Sequence, residues 1–216
     1  MEILDVFDDL HNPLAPPTAS IDEVHEQGLW HQTFACWVIN PQKHTVLLQL
    51  RGPRNRIDPG SFDASASGHL SSGEKPEDGF RELSEELGIT VPNTGRAYLG
   101  NFRNCATRGN YINREFCHVF LAKSIATPHT LILQGGEVSG VFEVPLDGAI
   151  SLFSGEIQSF KAIGIEWNEK TYAPSEREIS LPLMCNWHER CKASKYYLKV
   201  MEAARSFLQG VAIPLL

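Results

Sequence analysis

No stretch of this 216-residue chain is apolar for long enough to span a bilayer. The longest apolar runs, such as Phe34 to Ile39, fall far short of the roughly 20 residues a spanning helix needs. Internal repeats and low-complexity tracts are missing too, which excludes solenoids and linker-rich architectures. Cysteine is scarce and odd in number: Cys36, Cys105, Cys117, Cys185 and Cys191 are scattered rather than spaced as a disulfide framework. The start, Met1-Glu2-Ile3-Leu4-Asp5, is acidic and lacks a signal-peptide pattern. Together these predict free thiols and a cytoplasmic setting. Basic excess is absent as well. Nineteen Lys and Arg against 26 Asp and Glu give a formal net charge of −7, which argues against a nucleic-acid backbone as partner. A small anionic substrate remains open if a metal ion and a few arginines offset the local charge. What is present, 42% hydrophobic and 21% charged residues, is the composition of a globular chain long enough to bury a core.

Residues 1–27 read as an extension: a short strand-like EILDVF, then a loop holding Pro13, Pro16 and Pro17. Leu29 to Ile39 is rich in aromatic and β-branched residues and reads as a strand, turned at Asn40-Pro41 into a hairpin partner, Thr45 to Leu50. A loop carrying Arg51, Arg54 and Arg56 follows, closed by Pro59-Gly60. Further strands are predicted over Phe62 to Ser67, Tyr98 to Arg103 and Glu115 to Ala122, with a strand and short helix between Glu143 and Phe153. From Asn186 to Gln209, Trp187, Cys191, Leu198, Met201, Ala204 and Leu208 recur at helical steps, with Gly210 as the stop. Strands alternating with helices give an α/β class with a mixed sheet.

Between Gly68 and Ile89 a glycine turn runs into a short helix dense in carboxylates. Pro76 suits the first turn and Gly88 the C-terminal stop. At 3.6 residues per turn, Asp78, Glu82, Glu85 and Glu86 share about a third of the circumference, opposite Phe80, Leu83 and Leu87. Like charges three and four apart repel; a hard divalent cation converts that repulsion into binding. Arg81, four residues before Glu85, has the spacing of an ion pair. Gly79 costs the helix about 1 kcal/mol relative to alanine, a local conflict of the sort that marks sites. A solvated acidic helix accounts for the periodicity, but not for the Gly68 turn, Glu74 or the glutamate pair before Gly88.

This segment resembles the Nudix box, G-x5-E-x7-R-E-U-x-E-E-x-G-U with U a bulky aliphatic residue. Gly68, Glu74, Arg81, Glu82, Leu83, Glu85, Glu86, Gly88 and Ile89 fill its typed positions. One departure stands out: six residues, Lys75 to Phe80, separate Glu74 from Arg81 where the common pattern has seven. The shortening precedes Arg81 and leaves the helical spacing intact. With its flanks the resemblance extends over roughly Gly28 to Ile165, which divides the chain into an extension (1–27), a Nudix domain (28–165) and a C-terminal helical segment (166–216).

The resemblance implies an α/β/α sandwich that binds Mg²⁺ or Mn²⁺ and cleaves a nucleoside diphosphate linked to another moiety. Carried over by position, Glu82, Glu85, Glu86 and the Gly68 carbonyl would be metal ligands, with Glu74 and Arg81 supporting. One glutamate of the group, or Glu115, would take the proton of the attacking water. Arg51, Arg54 and Arg56 sit where they reach phosphates, and His69 is a candidate substrate contact. For Glu115 and for each arginine, a solvated surface role is the plain alternative.

The flanks also resemble isopentenyl diphosphate isomerases, which offers His31, His69 and Glu115 as metal-binding or catalytic positions. Two departures weigh against that chemistry. Ser67 stands where the isomerase has its catalytic cysteine, and Asn113 where it has a second strand glutamate. The intact carboxylate group favours hydrolysis; His31 and His69 then revert to packed or hydrogen-bonded residues, with His69 kept only as a candidate substrate contact. A non-catalytic nucleotide-binding module is a third reading. Cys185-x2-His188-x2-Cys191 superficially resembles a zinc site but lacks a fourth ligand. The C-terminal helix caps the domain, with a homodimer contact as the alternative.

Overall fold

The computed structural model describes residues 2–185 and 195–216. Residues 186–194, with His188 and Cys191, lie outside the described residues. Along the chain run β1 (Ile3–Phe7), β2 (Pro13–Ser20), α1 (Ile21–Gln27), β3 (Trp30–Asn40), β4 (Thr45–Arg51), β5 (Phe62–Asp63) and β6 (Ala66–His69). A 3₁₀ turn (Pro76–Phe80), α2 (Arg81–Leu87), β7 (Arg96–Arg108), β8 (Tyr111–Lys123), β9 (Val138–Pro145) and α3 (Leu146–Ser154) follow. The hairpin β10 (Ser159–Trp167) and β11 (Tyr172–Ser180), then α4 (Tyr196–Gln209), complete the described fold.

Strand β3 organises the sheet. It pairs parallel with β8 over Trp30 to Ile39 and antiparallel with β1, β4 and β6. The path β11-β10-β9-β4-β3-β1-β2 is extended by β8 and β7, so the sheet is mixed. Alternation along β3 sends Ala35, Trp37 and Ile39 to one face and Phe34, Cys36 and Val38 to the other. The first set packs with Leu146, Ala149 and Leu152 of α3 and Val200, Met201 and Ala204 of α4. The second packs under Phe80, Leu83 and Leu87. Helices thus cover both faces of one mixed sheet: the expected α/β/α layering.

Several local expectations give way. The proline-rich segment is a strand, β2, tolerated because it is a sheet edge that pairs only with β1 and needs no N–H from its prolines. The strand expected over Phe62 to Ser67 is broken at Ser65, whose Oγ donates to the Leu47 carbonyl and accepts from Val38 N. The helix begins in earnest only at Arg81. Asp78 is not on the carboxylate ridge but caps the 3₁₀ turn, accepting from Lys75 N at 2.8 Å.

Gly79 has a packing cause. A Cβ there would lie 2.5 Å from the ring of Phe34, a fully buried side chain with no room to yield. Gly79→Ala should therefore destabilise the protein by roughly 1–3 kcal/mol despite its better helix propensity. Urea unfolding checks this; an unchanged midpoint would mean that the turn relaxes freely.

Candidate active site

The box folds around Arg81. Its Nε donates to Glu74 Oε1 at 2.9 Å, and its Nη1 to Glu82 Oε1 at 2.6 Å and Glu85 Oε2 at 3.2 Å. Nη2 donates to the His69 carbonyl at 2.9 Å. One guanidinium thus ties the entering loop to the first turn of α2, and the shortened spacing still delivers Glu74 to it. A Cβ at Gly68 would meet the Glu82 carboxylate, which Arg81 holds in place.

Glu86 is not on an exposed ridge. It is 4% exposed, and its Oε2 accepts from Gln49 Nε2 at 3.0 Å and Ser67 N at 3.2 Å. Burial pushes its carboxyl up to about 8, with the neighbouring Glu82 adding to the rise. Glu82 is raised to about 7, chiefly by burial, with Arg81 opposing and Glu85 adding. Glu85 is half exposed. Two carboxylates kept near neutral pH by desolvation fit a divalent cation, because an oxygen-rich set of this kind is relieved by hard positive charge.

Glu115 is buried inside β8, opposite Asn104 of β7, which donates Nδ2 to its Oε1 at 2.6 Å. Burial raises its carboxyl, against the hydrogen bond from Asn104 and the approach of the Asn113 side chain. A cavity of about 520 Å³ connects it with Gly68, Glu82 and Glu85. Arg51, Arg54 and Arg56 line the same cavity. Two of them carry partners: Arg51 donates to Asp63 at 3.1 Å and Arg56 to Asp22 at 2.9 Å.

The structure brings together three histidines that the sequence left apart. His25 of α1, His31 of β3 and His69 of β6 each place a ring nitrogen within 4.8 Å of the others. The Nδ1 atoms of His25 and His31 face the carbonyls of Ile112 and Leu29 at 3.4 and 3.1 Å. That arrangement leaves Nε2 as the lone-pair nitrogen of each. The fully buried His31 Nε2 has no partner among the described residues. Burial holds His25 down to about 4, His31 to about 3 and His69 well below its ordinary value. All three are thus neutral imidazoles at pH 7. His31, His69 and His25 thus meet in one cluster, and His25 escaped the sequence reading. The Ser20-x-x-Glu23 capping box that starts α1 was the local signal for its helix.

Residues 29–163 match the model of the NUDIX domain. An uncharacterized Nudix hydrolase of Clostridium acetobutylicum is 36% identical over 171 residues, covering 78% of this chain and 82% of its own length. The chain belongs to the NUDIX domain family, and its class is that of the Nudix pyrophosphohydrolases. An isopentenyl-diphosphate Delta-isomerase of Saccharopolyspora erythraea is 37% identical over 94 residues, which cover 43% of this chain and 47% of that enzyme. The crystal structure of DR0079 from Deinococcus radiodurans shares the fold, with a TM-score of 0.54 over 71% of this chain and 90% of that one, at 19% identity. No helix among the described residues is long and apolar enough to cross a membrane.

Proposed function

We propose that the protein hydrolyses a diphosphate linkage in a nucleotide or nucleoside diphosphate derivative, with Glu82, Glu85, Glu86 and the Gly68 carbonyl holding Mg²⁺ or Mn²⁺. The observation that carries this reading is the pair of desolvated carboxylates, Glu82 and Glu86, beside the Arg81 guanidinium. The bound ion would supply charge neutralisation for the diphosphate and a more acidic water. The chain's own residues do the rest. Arg81 fixes Glu82 through Oε1, and Gln49 and Ser67 fix Glu86 through Oε2. The second oxygen of each is thereby left for ion or proton. Glu115, across the cavity, is the alternative acceptor of the water's proton. Arg51, Arg54 and Arg56 offer positive charge to the phosphates from the cavity wall. A cytoplasmic enzyme acting on a small molecule accords with the net charge of −7.

The three histidines favour a second reading, an isopentenyl diphosphate isomerase-like enzyme. Three neutral imidazoles suit a borderline transition ion better than Mg²⁺. Ser67 and Asn113 oppose it: neither supplies the thiol or carboxyl proton that such an isomerisation would draw on.

A panel of nucleoside diphosphate derivatives and isopentenyl diphosphate, assayed with Mg²⁺ and with Mn²⁺, separates the two. Hydrolytic release of phosphate or a nucleotide monophosphate is expected. Conversion of isopentenyl diphosphate to its isomer, with every nucleotide left intact, would replace the first reading by the second.

A further inference from the structure

The cavity has a second polar end, on the strands farthest from the box. Direct pairing sets His69 beside Thr33, Thr33 beside Cys117, Cys117 beside Phe102, and Glu115 beside Asn104. Paired residues point to one face, so these side chains floor a single surface. From β6 to β7 that floor crosses three strand spacings, about 14 Å. Gly68 and Glu82 line one part of the cavity and Asn104 another, so a diphosphate held at the first would leave the floor toward Asn104 open to the group attached to it.

Asn104 is the informative residue there. It is 1% exposed and lines the cavity. Its Nδ2 is committed to Glu115, which Asn113 also approaches as a donor. That fixes the amide with Oδ1 turned away from the carboxylate, and Oδ1 has no partner among the described residues. A buried acceptor left unmade costs about 1–3 kcal/mol, so its retention points to a ligand that completes it. Beside it, the rings of Phe102 and Tyr196, with centroids 4.8 Å apart, give the same end an aromatic wall.

We infer that Asn104 is a specificity residue: it selects substrates whose moiety beyond the diphosphate carries a hydrogen-bond donor, a hydroxyl or an amino group. The inference rests on the hydrolase reading for the position of the diphosphate. An alkyl diphosphate would leave Oδ1 orphaned and is disfavoured.

Asn104→Leu removes the acceptor at nearly constant volume. Calorimetric affinity and kcat/KM for ADP-ribose, which bears hydroxyl and amino donors, should fall roughly 10- to 100-fold. For dimethylallyl diphosphate, which bears neither, affinity should change less than about threefold by the same reasoning. ADP, without the second sugar, and the hypoxanthine counterpart of ADP-ribose, without the adenine amine, locate the donor. Equal losses on both probe classes would make Asn104 only a positioning residue for Glu115. That outcome, no loss, or no binding of ADP-ribose to the wild type overturns the inference. If leucine does not fold, Asn104→Ala carries the same comparison. A wild type that binds ADP-ribose without hydrolysing any diphosphate sinks the hydrolase reading, while the affinities still decide the role of Asn104.

Discussion

Glu86→Gln should abolish turnover and leave the protein at least as stable as the wild type. Loss of a ligand or base at this position should lower kcat by roughly 10²–10⁴-fold. The amide oxygen of glutamine can still accept from Gln49 and Ser67 N, the two donors that now hold Oε2. What disappears is a carboxylate that burial disfavours when ionised. Activity and stability are therefore expected to move in opposite directions. Steady-state rates with saturating Mg²⁺ and thermal melts of the same samples check both. Wild-type turnover in this variant would remove the proposed mechanism; a large loss of stability would assign Glu86 to the core instead.

The same burial makes the metal-free protein weaken as pH rises. A carboxyl raised to about 8 in the fold keeps its proton at a pH where the unfolded chain, with its ordinary carboxyl near 4.5, has lost it. The native state then binds more protons, so stability falls with pH, by at most about 1.4 kcal/mol per unit per group. The buried histidines act in the opposite sense. Held neutral in the fold, they favour the native state as the unfolded histidines deprotonate, and that contribution levels off about one unit above their ordinary value of 6.5. Between pH 6.5 and 8 the loss from the buried carboxyls outweighs what is left of the histidine gain. In that window the melting temperature of chelator-treated protein should drop by a few degrees, at roughly 2–4 °C per kcal/mol for a chain of this size. Mg²⁺ should stabilise more at pH 8 than at pH 6.5, and Glu86→Gln should flatten the dependence. A flat or rising profile for the chelated wild type would contradict the protonated carboxyl.

Much of this was legible in the sequence because it is local. The box declares itself through residue types at fixed offsets, and the i to i+4 pair of Arg81 and Glu85 forms as the helical period requires. The β3 and β8 segments carry enough aromatic and β-branched residues to be read as strands. What escaped depends on pairing between distant segments. The meeting of His25, His31 and His69 requires α1 to dock and β6 to lie beside β3, and no short pattern encodes that register. For Glu115 the sequence left a candidate base and a solvated strand-end carboxylate both open, and its burial shows only once β7 sets Asn104 against it. The conflict at Gly79 was visible, but its cause, the Phe34 ring, lies 45 residues away in the chain. The β10–β11 hairpin was missed because its outward residues, among them Lys161, Glu176 and Glu178, mask the buried Ala162 and Ile179.

The β1–β2–α1 unit bears on what counts as the minimal catalytic piece. Asp5 accepts from Ser72 Oγ at 2.7 Å and Gly73 N at 3.0 Å, so the first strand grips the loop that carries Glu74. Its backbone also covers the margin of β3 at Trp30 and His31. Cutting the polypeptide back to the matched segment, 29–163, would strip that margin bare, delete one of the three imidazoles and uncover the apolar surface now under α4. The packed unit extends beyond the stretch that matches the family model on both sides.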